Sequence, residues 1–195
     1  MPAKERRVTA ADILPAAQFA KERSALRAAI LPRKKLRRVS VGPYATFYFE
    51  SFDTMLFQIQ EMLHIEKGGA EQLEDELRAY NPMIPQGDEL CATIMFEIDD
   101  EKRRAAVLGS LGGVEDRFFL EIDGERIMSR PEGDVERTRE DGKASSVHFV
   151  HFDFTPAQKA RLRDGRVLAG VDHPNYAHLA VLSDETRAEL ATDFT

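Results

Sequence analysis

The histidines are the residues whose type and spacing point most directly to chemistry. Four of the five lie in the last third of the chain, in the segments VHFVHFDF and VDHPNYAH. Imidazole nitrogens and carboxylate oxygens are common ligands of zinc and iron, and two histidines with one carboxylate can form such a site. The candidate ligands of an iron or zinc site are therefore five residues: His148, His151, Asp153, Asp172 and His173.

The spacing of these residues restricts how they can meet. Successive side chains on a strand point to opposite faces, so His151 and Asp153 share a face and His148 lies on the other. If the two segments pair in one sheet, His148 or His151 can meet His173 or Asp172. The spacing is not a motif, however. We therefore favour the interpretation that these histidines are structural residues whose neighbours satisfy their hydrogen bonds.

A second histidine pattern and several enzyme signatures give weaker or negative indications. Glu61 and His64 have the i, i+3 spacing used in di-iron helical bundles. The apolar positions Leu56, Ile59 and Leu63 take the inward face of that predicted helix, which disfavours a metal role. The sequence has no glycine-rich phosphate-binding loop and no G-x-S-x-G turn. Whether the protein is an enzyme stays open on these grounds.

Cys91 is the single cysteine, so the chain cannot form an internal disulfide. This composition is typical of a reducing compartment. The segment MPAKERRVTAAD lacks the apolar stretch of a secretory signal, and no apolar run reaches the length of a membrane span. We predict a cytoplasmic protein without membrane contact, in which Cys91 is a small core residue of a strand.

The chain, whose net charge is −7, contains a basic block of five residues: Arg33, Lys34, Lys35, Arg37 and Arg38. Residues 1–43 carry 11 of the 27 basic residues but only three of the 34 acidic ones, so this segment has a charge of +8 and the remainder −15. Such an asymmetry indicates contact with an anion or a partner protein, or neutralisation of the acidic body within the chain or across a homodimer.

Of these interpretations we favour neutralisation, for example by the acidic residues within 71–76. Nucleic-acid binding through residues 33–38 is an alternative, because Tyr44, Phe47 and Tyr48 could stack on bases nearby. A body with a charge of −15 would repel a polyanion, so this alternative is disfavoured.

Helix and strand patterns alternate along the chain. A short capped turn and then a long helix are predicted between residue 9 and about residue 35, and we expect Pro32 to end or kink the helix. Strands are predicted on either side of Gly42 and Pro43. The apolar stripe of FDTMLFQIQEMLHIE predicts a helix that begins after Ser51.

The elements do not follow a regular βαβ period, so we predict an α+β fold with a long N-terminal helix and a mixed or antiparallel sheet on which helices pack. Asp123 and Gly124 predict a tight hairpin. The length favours a single domain, 1–195, with a basic helical segment at 1–38 and a polar excursion at 130–146.

Several runs of the sequence resemble an uncharacterised bacterial family, a domain of unknown function: RRVSVGPYATFYFESFDTMLFQIQEMLHIE, AYNPMIPQGDELCATIMFEI, SSVHFVHFDFTPAQ and GVDHPNYAH. The resemblance extends from ADILP to the last helix. Genes of that family often lie beside genes for rubrerythrin-like and iron–sulfur oxidoreductase proteins, so the resemblance implies at most a link to iron or peroxide metabolism. It assigns no role to any residue.

The functional expectation is therefore an accessory or binding protein that acts with a redox partner protein or as a homodimer. The alternatives are a metal-binding protein or metal-dependent enzyme that uses the strand histidines, and nucleic-acid binding through the basic block.

Overall fold

The structure, a computed structural model, describes residues 6–133 and 143–195. Within these ranges the chain forms six α-helices and nine β-strands. The helices are α1 (Ala16–Leu36), α2 (Phe52–Glu66), α3 (Gly69–Tyr80), α4 (Glu101–Gly109), α5 (Pro156–Leu162) and α6 (Asp184–Leu190). The strands are β1 (Arg38–Val41), β2 (Ala45–Phe49), β3 (Glu89–Phe96), β4 (Phe118–Ile122), β5 (Glu125–Met128), β6 (Arg130–Pro131), β7 (Val147–Asp153), β8 (Val167–His173) and β9 (Tyr176–Val181). The predicted α+β class and long N-terminal helix are confirmed.

The described strands form two antiparallel sheets. Sheet A has the strand order β1-β2-β3-β7-β6, and sheet B has the order β5-β4-β8-β9. The two histidine segments, β7 and β8, therefore belong to different sheets. The two segments therefore do not pair with each other, and their histidines do not meet in the way that pairing in one sheet would allow.

Two apolar cores lie on opposite faces of sheet A, because the side chains of β3 alternate. Leu90 and Ile94 face sheet B and belong to the main core, where the rings of Phe47 and Phe118 join the two sheets with centroids 5.9 Å apart. Cys91 points the other way, into a smaller core covered by α2 and α3. We call this second side the helix face of sheet A.

Helix α1 continues past Pro32 to Leu36. The expectation that Pro32 ends this helix is therefore wrong. Proline removes one backbone donor, which deprives the carbonyl of Ala28 of its helical partner. Ala28 is exposed, so water can hydrate that carbonyl. Arg33 and Arg37, beyond the proline, are held by ion pairs to the C-terminal segment, and these contacts stabilise the last turn.

The hairpin prediction is confirmed: Asp123 and Gly124 both have positive φ, 49° and 87°, as a tight type I′ turn requires. Of the polar excursion at 130–146, residues 134–142 lie outside the described part of the chain. The part that precedes them forms β6 and includes Glu132. No described helix has the length and apolar character needed to cross a membrane.

Candidate metal centre

Sheet A places three candidate metal ligands side by side on its helix face. Glu89 and Cys91 are two residues apart on β3, so their side chains point the same way. His151 of β7 lies directly opposite Cys91 in the antiparallel register. Among the described residues, these three are the one group of metal-ligating side chains whose donor atoms all lie within 4.8 Å of one another.

The distances show that two of these groups converge on a single ring nitrogen of the third. Oε2 of Glu89 lies 2.9 Å from Nδ1 of His151, and Sγ of Cys91 lies 3.3 Å from the same atom. One proton on Nδ1 can be donated well to only one of them. A cation beside Nδ1 would contact all three groups.

The short strand β6 brings a further carboxylate to the other side of the imidazole. Arg130 is the register partner of His151, and the backbone N–H of Glu132 donates to the carbonyl of Phe149 at 2.8 Å. This pairing places Oε2 of Glu132 2.5 Å from Nε2 of His151. The ring is therefore oriented by a carboxylate that does not contact the Nδ1 side.

Burial and charge shape the protonation of the centre. Cys91 is 0% exposed, His151 3% and Glu89 9%. Burial raises the pKa of the Cys91 thiol well above its usual value, and the charge of Glu89 adds to this effect. Burial alone would lower the pKa of His151, but the carboxylates of Glu89 and Glu132 outweigh it and raise that pKa. Without a metal ion the centre therefore favours a protonated thiol and an imidazolium.

The structure brings only His151, of the five predicted ligands, into this centre. Asp153 shares its face, as expected, but pairs with Arg130 at 3.1 Å. His148 points into the main core, where its Nε2 lies 2.9 Å from the carbonyl of Ser145.

The two predicted ligands of β8 are occupied elsewhere. Asp172 pairs with Arg126 at 2.7 Å on sheet B. His173 has Nε2 3.2 Å from the carbonyl of Gly112. The five residues therefore do not converge within the described structure.

Glu89 and Cys91 were not among the predicted ligands. Their signal in the sequence is the alternate spacing E-x-C at the start of a strand, which puts an acid and a thiol on one face. Whether a histidine lies close to Glu89 and Cys91 depends on which strand pairs with β3. That neighbour, β7, follows more than 50 residues later in the chain, so local patterns do not reveal it.

The basic block is largely paired within the chain. Arg37 is 1% exposed and bonds to Glu189 and Asp193, each at 2.8 Å. Arg33 bonds to Glu189 at 2.5 Å and to Asp53. The partners thus come from α6, the turn after it and the start of α2, and the acidic segment 71–76 is not among them in the described contacts.

The remaining cations of the block lie nearer to solvent. Arg38 is half exposed, lies over the ring of Tyr48 and reaches Glu97 at 3.4 Å. The side chains of Lys34 and Lys35 make no ion pair or hydrogen bond within the part of the chain that the structure describes. Both line a groove between α1 and α2.

Comparison with known proteins gives the chain a family. Residues 7–194 match the family described as a protein of unknown function (DUF3501). The chain belongs to the DUF3501 family. Its fold is similar to that of a crystal structure, at 1.90 Å resolution, of a novel protein of unknown function from Burkholderia pseudomallei K96243, with 37% identity over 96% of this chain and 99% of that one and a TM-score of 0.89. No curated protein matches the chain. The resemblance to a family of unknown function is thereby confirmed, and DUF3501 membership assigns no activity to the candidate centre.

Proposed function

We propose that this DUF3501 protein binds a divalent transition-metal ion, zinc or ferrous iron, through Glu89, Cys91 and His151. The observation that carries the proposal is the approach of Glu89 and Cys91 to the same atom, Nδ1 of His151, at 2.9 and 3.3 Å. A single Nδ1 proton can be donated well to only one of these two atoms, whereas a cation beside Nδ1 would contact both.

The spacing of the donor atoms supports a tetrahedral ion. With bonds of about 2.3 Å to sulfur and 2.0–2.1 Å to nitrogen and oxygen, neighbouring ligand atoms lie roughly 3.4 Å (N to O) and 3.5 Å (N to S) apart. The observed 2.9 and 3.3 Å fall a few tenths of an ångström short. Small side-chain rotations of Glu89 and Cys91 would open the site to receive the ion.

Glu132 fits the role of the outer carboxylate that holds a ligating histidine. Metal-bound histidines commonly donate their second N–H to a carboxylate, which fixes the tautomer and increases ligand basicity. Nε2 of His151 faces Glu132 in this way. The ion would then replace the protons on Cys91 and on Nδ1, and its two charges would balance the thiolate and the Glu89 carboxylate.

Three protein ligands leave one coordination position for water or another molecule. A mixed sulfur, nitrogen and oxygen donor set suits zinc or ferrous iron rather than magnesium or calcium. The proposal is consistent with a role in iron or peroxide metabolism. A free thiolate ligand is best preserved in a reducing cytoplasm, which is where we place the protein.

The test is the metal content of untagged protein after incubation with Zn²⁺ or, without oxygen, Fe²⁺, followed by dialysis. We expect about one bound ion per chain in the wild type and a loss of at least tenfold in affinity in Cys91→Ser and His151→Gln. Asp172→Asn, which removes a ligand predicted from the sequence, is the matched control and should bind like the wild type. Less than about a tenth of an equivalent in the wild type would contradict the proposal.

A second candidate function, partner binding, is favoured by the groove that Lys34 and Lys35 line. Two large apolar side chains on this surface are exposed to solvent: Leu31 at 53% and Ile65 at 62%. Apolar residues flanked by unpaired cations suit an acidic amphipathic segment of a partner protein, which we take to be a redox partner. The apolar residues of this chain's own acidic helix α3 already pack in the smaller core, so a second copy would not supply that segment from α3.

Light scattering decides between a partner and a homodimer. We expect a particle of 22.0 kDa, the mass of one chain. A particle of twice that mass that Leu31→Glu converts to a single chain would instead make the groove a homodimer contact. Binding of an isolated redox partner that survives Lys34→Glu with Lys35→Glu would remove the groove from the interface.

A further inference from the structure

A cavity lies on the helix face of sheet A, apart from the metal centre. It has a volume of about 340 Å³ and is lined by strands of sheet A, by α2 and by the ends of α1 and α3. Its walls are largely apolar, with Met55, Met95, Tyr80 and Phe149 among them. Volume and lining are those of a small-molecule site, in which a few polar groups determine what is bound.

The carboxylate of Glu50, which follows β2, is one of the polar groups that line the cavity. Glu50 is 9% exposed. Its Oε1 accepts a hydrogen bond from the hydroxyl of Thr93 at 2.7 Å, and its Oε2 accepts one from Thr54 at 2.7 Å. Each carboxylate oxygen has two acceptor positions, so two positions are left for a ligand.

No cationic side chain forms an ion pair with Glu50 in the described ranges. Arg37 donates to the backbone carbonyl of Glu50, at 3.0 Å, and not to its carboxylate. The charge of Arg37 is balanced by Glu189 and Asp193, as described above. Burial raises the pKa of Glu50, although hydrogen bonds from Thr54 and Thr93 and the charges of Lys34 and Arg37 act in the opposite direction. A buried carboxylate in this position is stabilised by any cation that enters.

We propose that this cavity binds a small organic cation, a primary amine on an apolar or aromatic body, with its ammonium group at Glu50. The ammonium supplies the missing charge and up to three donors. The aromatic walls add a further attraction for a cation and accommodate the apolar body. The proposal is independent of the metal centre because the two sites share no ligating group.

Lys34, which lies at the edge of the cavity, is the internal competitor for this position. Its ammonium makes no hydrogen bond to Glu50 but is close enough to lower its pKa. If an external amine binds at Glu50, removing the charge of Lys34 relieves repulsion between two cations. Lys34→Met should therefore tighten the binding of the amine.

The test is calorimetric titration of the full chain with benzylamine, phenethylamine and tyramine, and with benzyl alcohol and phenethyl alcohol as uncharged counterparts. We expect at least one amine to bind about tenfold or more tightly than its alcohol, and Glu50→Gln to remove most of that preference. Glu89→Gln is the matched carboxylate control: it should impair metal binding and leave the amine affinity unchanged. This control distinguishes failure of the present proposal from failure of the metal proposal.

A second variant, Val147→Phe, tests the proposal if Glu50→Gln does not fold. Val147→Phe, at the half-buried start of β7, fills the cavity without touching the carboxylate and should abolish amine binding. The proposal is overturned if no amine of the panel binds the wild type, if amines and alcohols bind equally, or if Lys34→Met weakens the binding.

Discussion

The strongest prediction about stability concerns Arg37. This residue is buried, whereas Arg38, its neighbour in the basic block, is exposed. The guanidinium of Arg37 makes bonds of 2.8 Å to Glu189 and to both oxygens of Asp193, and another to the carbonyl of Glu50. Its side chain is 1% exposed, and that of Asp193 is 9% exposed. Arg37→Met would therefore leave a carboxylate buried without its counter-charge.

Breaking a buried pair in this way costs about 3–5 kcal/mol, whereas an exposed pair contributes about 0–1 kcal/mol. Arg38→Met is the matched control, since Arg38 is 51% exposed and reaches Glu97 at 3.4 Å. For a chain of this length the melting temperature should fall by roughly 6–20 °C in Arg37→Met and by a few degrees at most in Arg38→Met.

The assay is urea unfolding of both variants beside the wild type, with circular dichroism as the probe of folded structure. The urea midpoint should fall strongly for Arg37→Met with little change in slope. Equal losses of about 1 kcal/mol or less in both variants would refute the argument that burial separates these two neighbouring arginines.

Three further predictions concern other parts of the fold. Ser51 caps α2 by accepting the N–H of Thr54 at 3.3 Å, so Ser51→Ala should cost about 1 kcal/mol in urea unfolding, and an unchanged midpoint would contradict the cap. A Cβ at Gly170 would lie 2.2 Å from the ring of Phe119, so Gly170→Ala should lower stability by about 1–3 kcal/mol, and a neutral effect would show that the ring moves freely. Hydrogen bonds from Arg23 hold the pKa of Glu61 below its usual range. The contribution of that pair is therefore present at neutral pH and lost as the pH falls through the folded-state pKa of Glu61. The difference in unfolding free energy between wild type and Arg23→Gln should shrink as the solution is acidified, and a constant difference would contradict this prediction.

The elements that local patterns determine were predictable from the sequence. The helix after Ser51 and the hairpin at Asp123 and Gly124 depend on residues within one turn of each other, and both are present. The end of α1 was not predictable, because contacts made by Arg33 and Arg37 with a segment some 150 residues away stabilise the turn beyond Pro32.

The candidate centre was predictable only in part, for a similar reason. Strand alternation put His151 and Asp153 on one face correctly, but it could not identify β3 as the neighbour of β7. Glu89 stands at the start of β3 next to Asp88, where an acid is usually solvated, and its burial follows only from the pairing with β7. His148 and His173 lie in different sheets, and local patterns could not predict how the strands divide between the two sheets.

The absorption spectrum of the protein titrated with Co²⁺ tests the central claim most directly, because it reports both the ion and its ligands. If Glu89, Cys91 and His151 hold a divalent ion in tetrahedral geometry, the wild type should show intense visible bands and a near-ultraviolet thiolate-to-cobalt band that saturate at one equivalent. Folded Cys91→Ser should lose the thiolate band. A wild-type spectrum like that of free hexaaqua cobalt, or visible bands without a thiolate-to-cobalt band, would contradict the account.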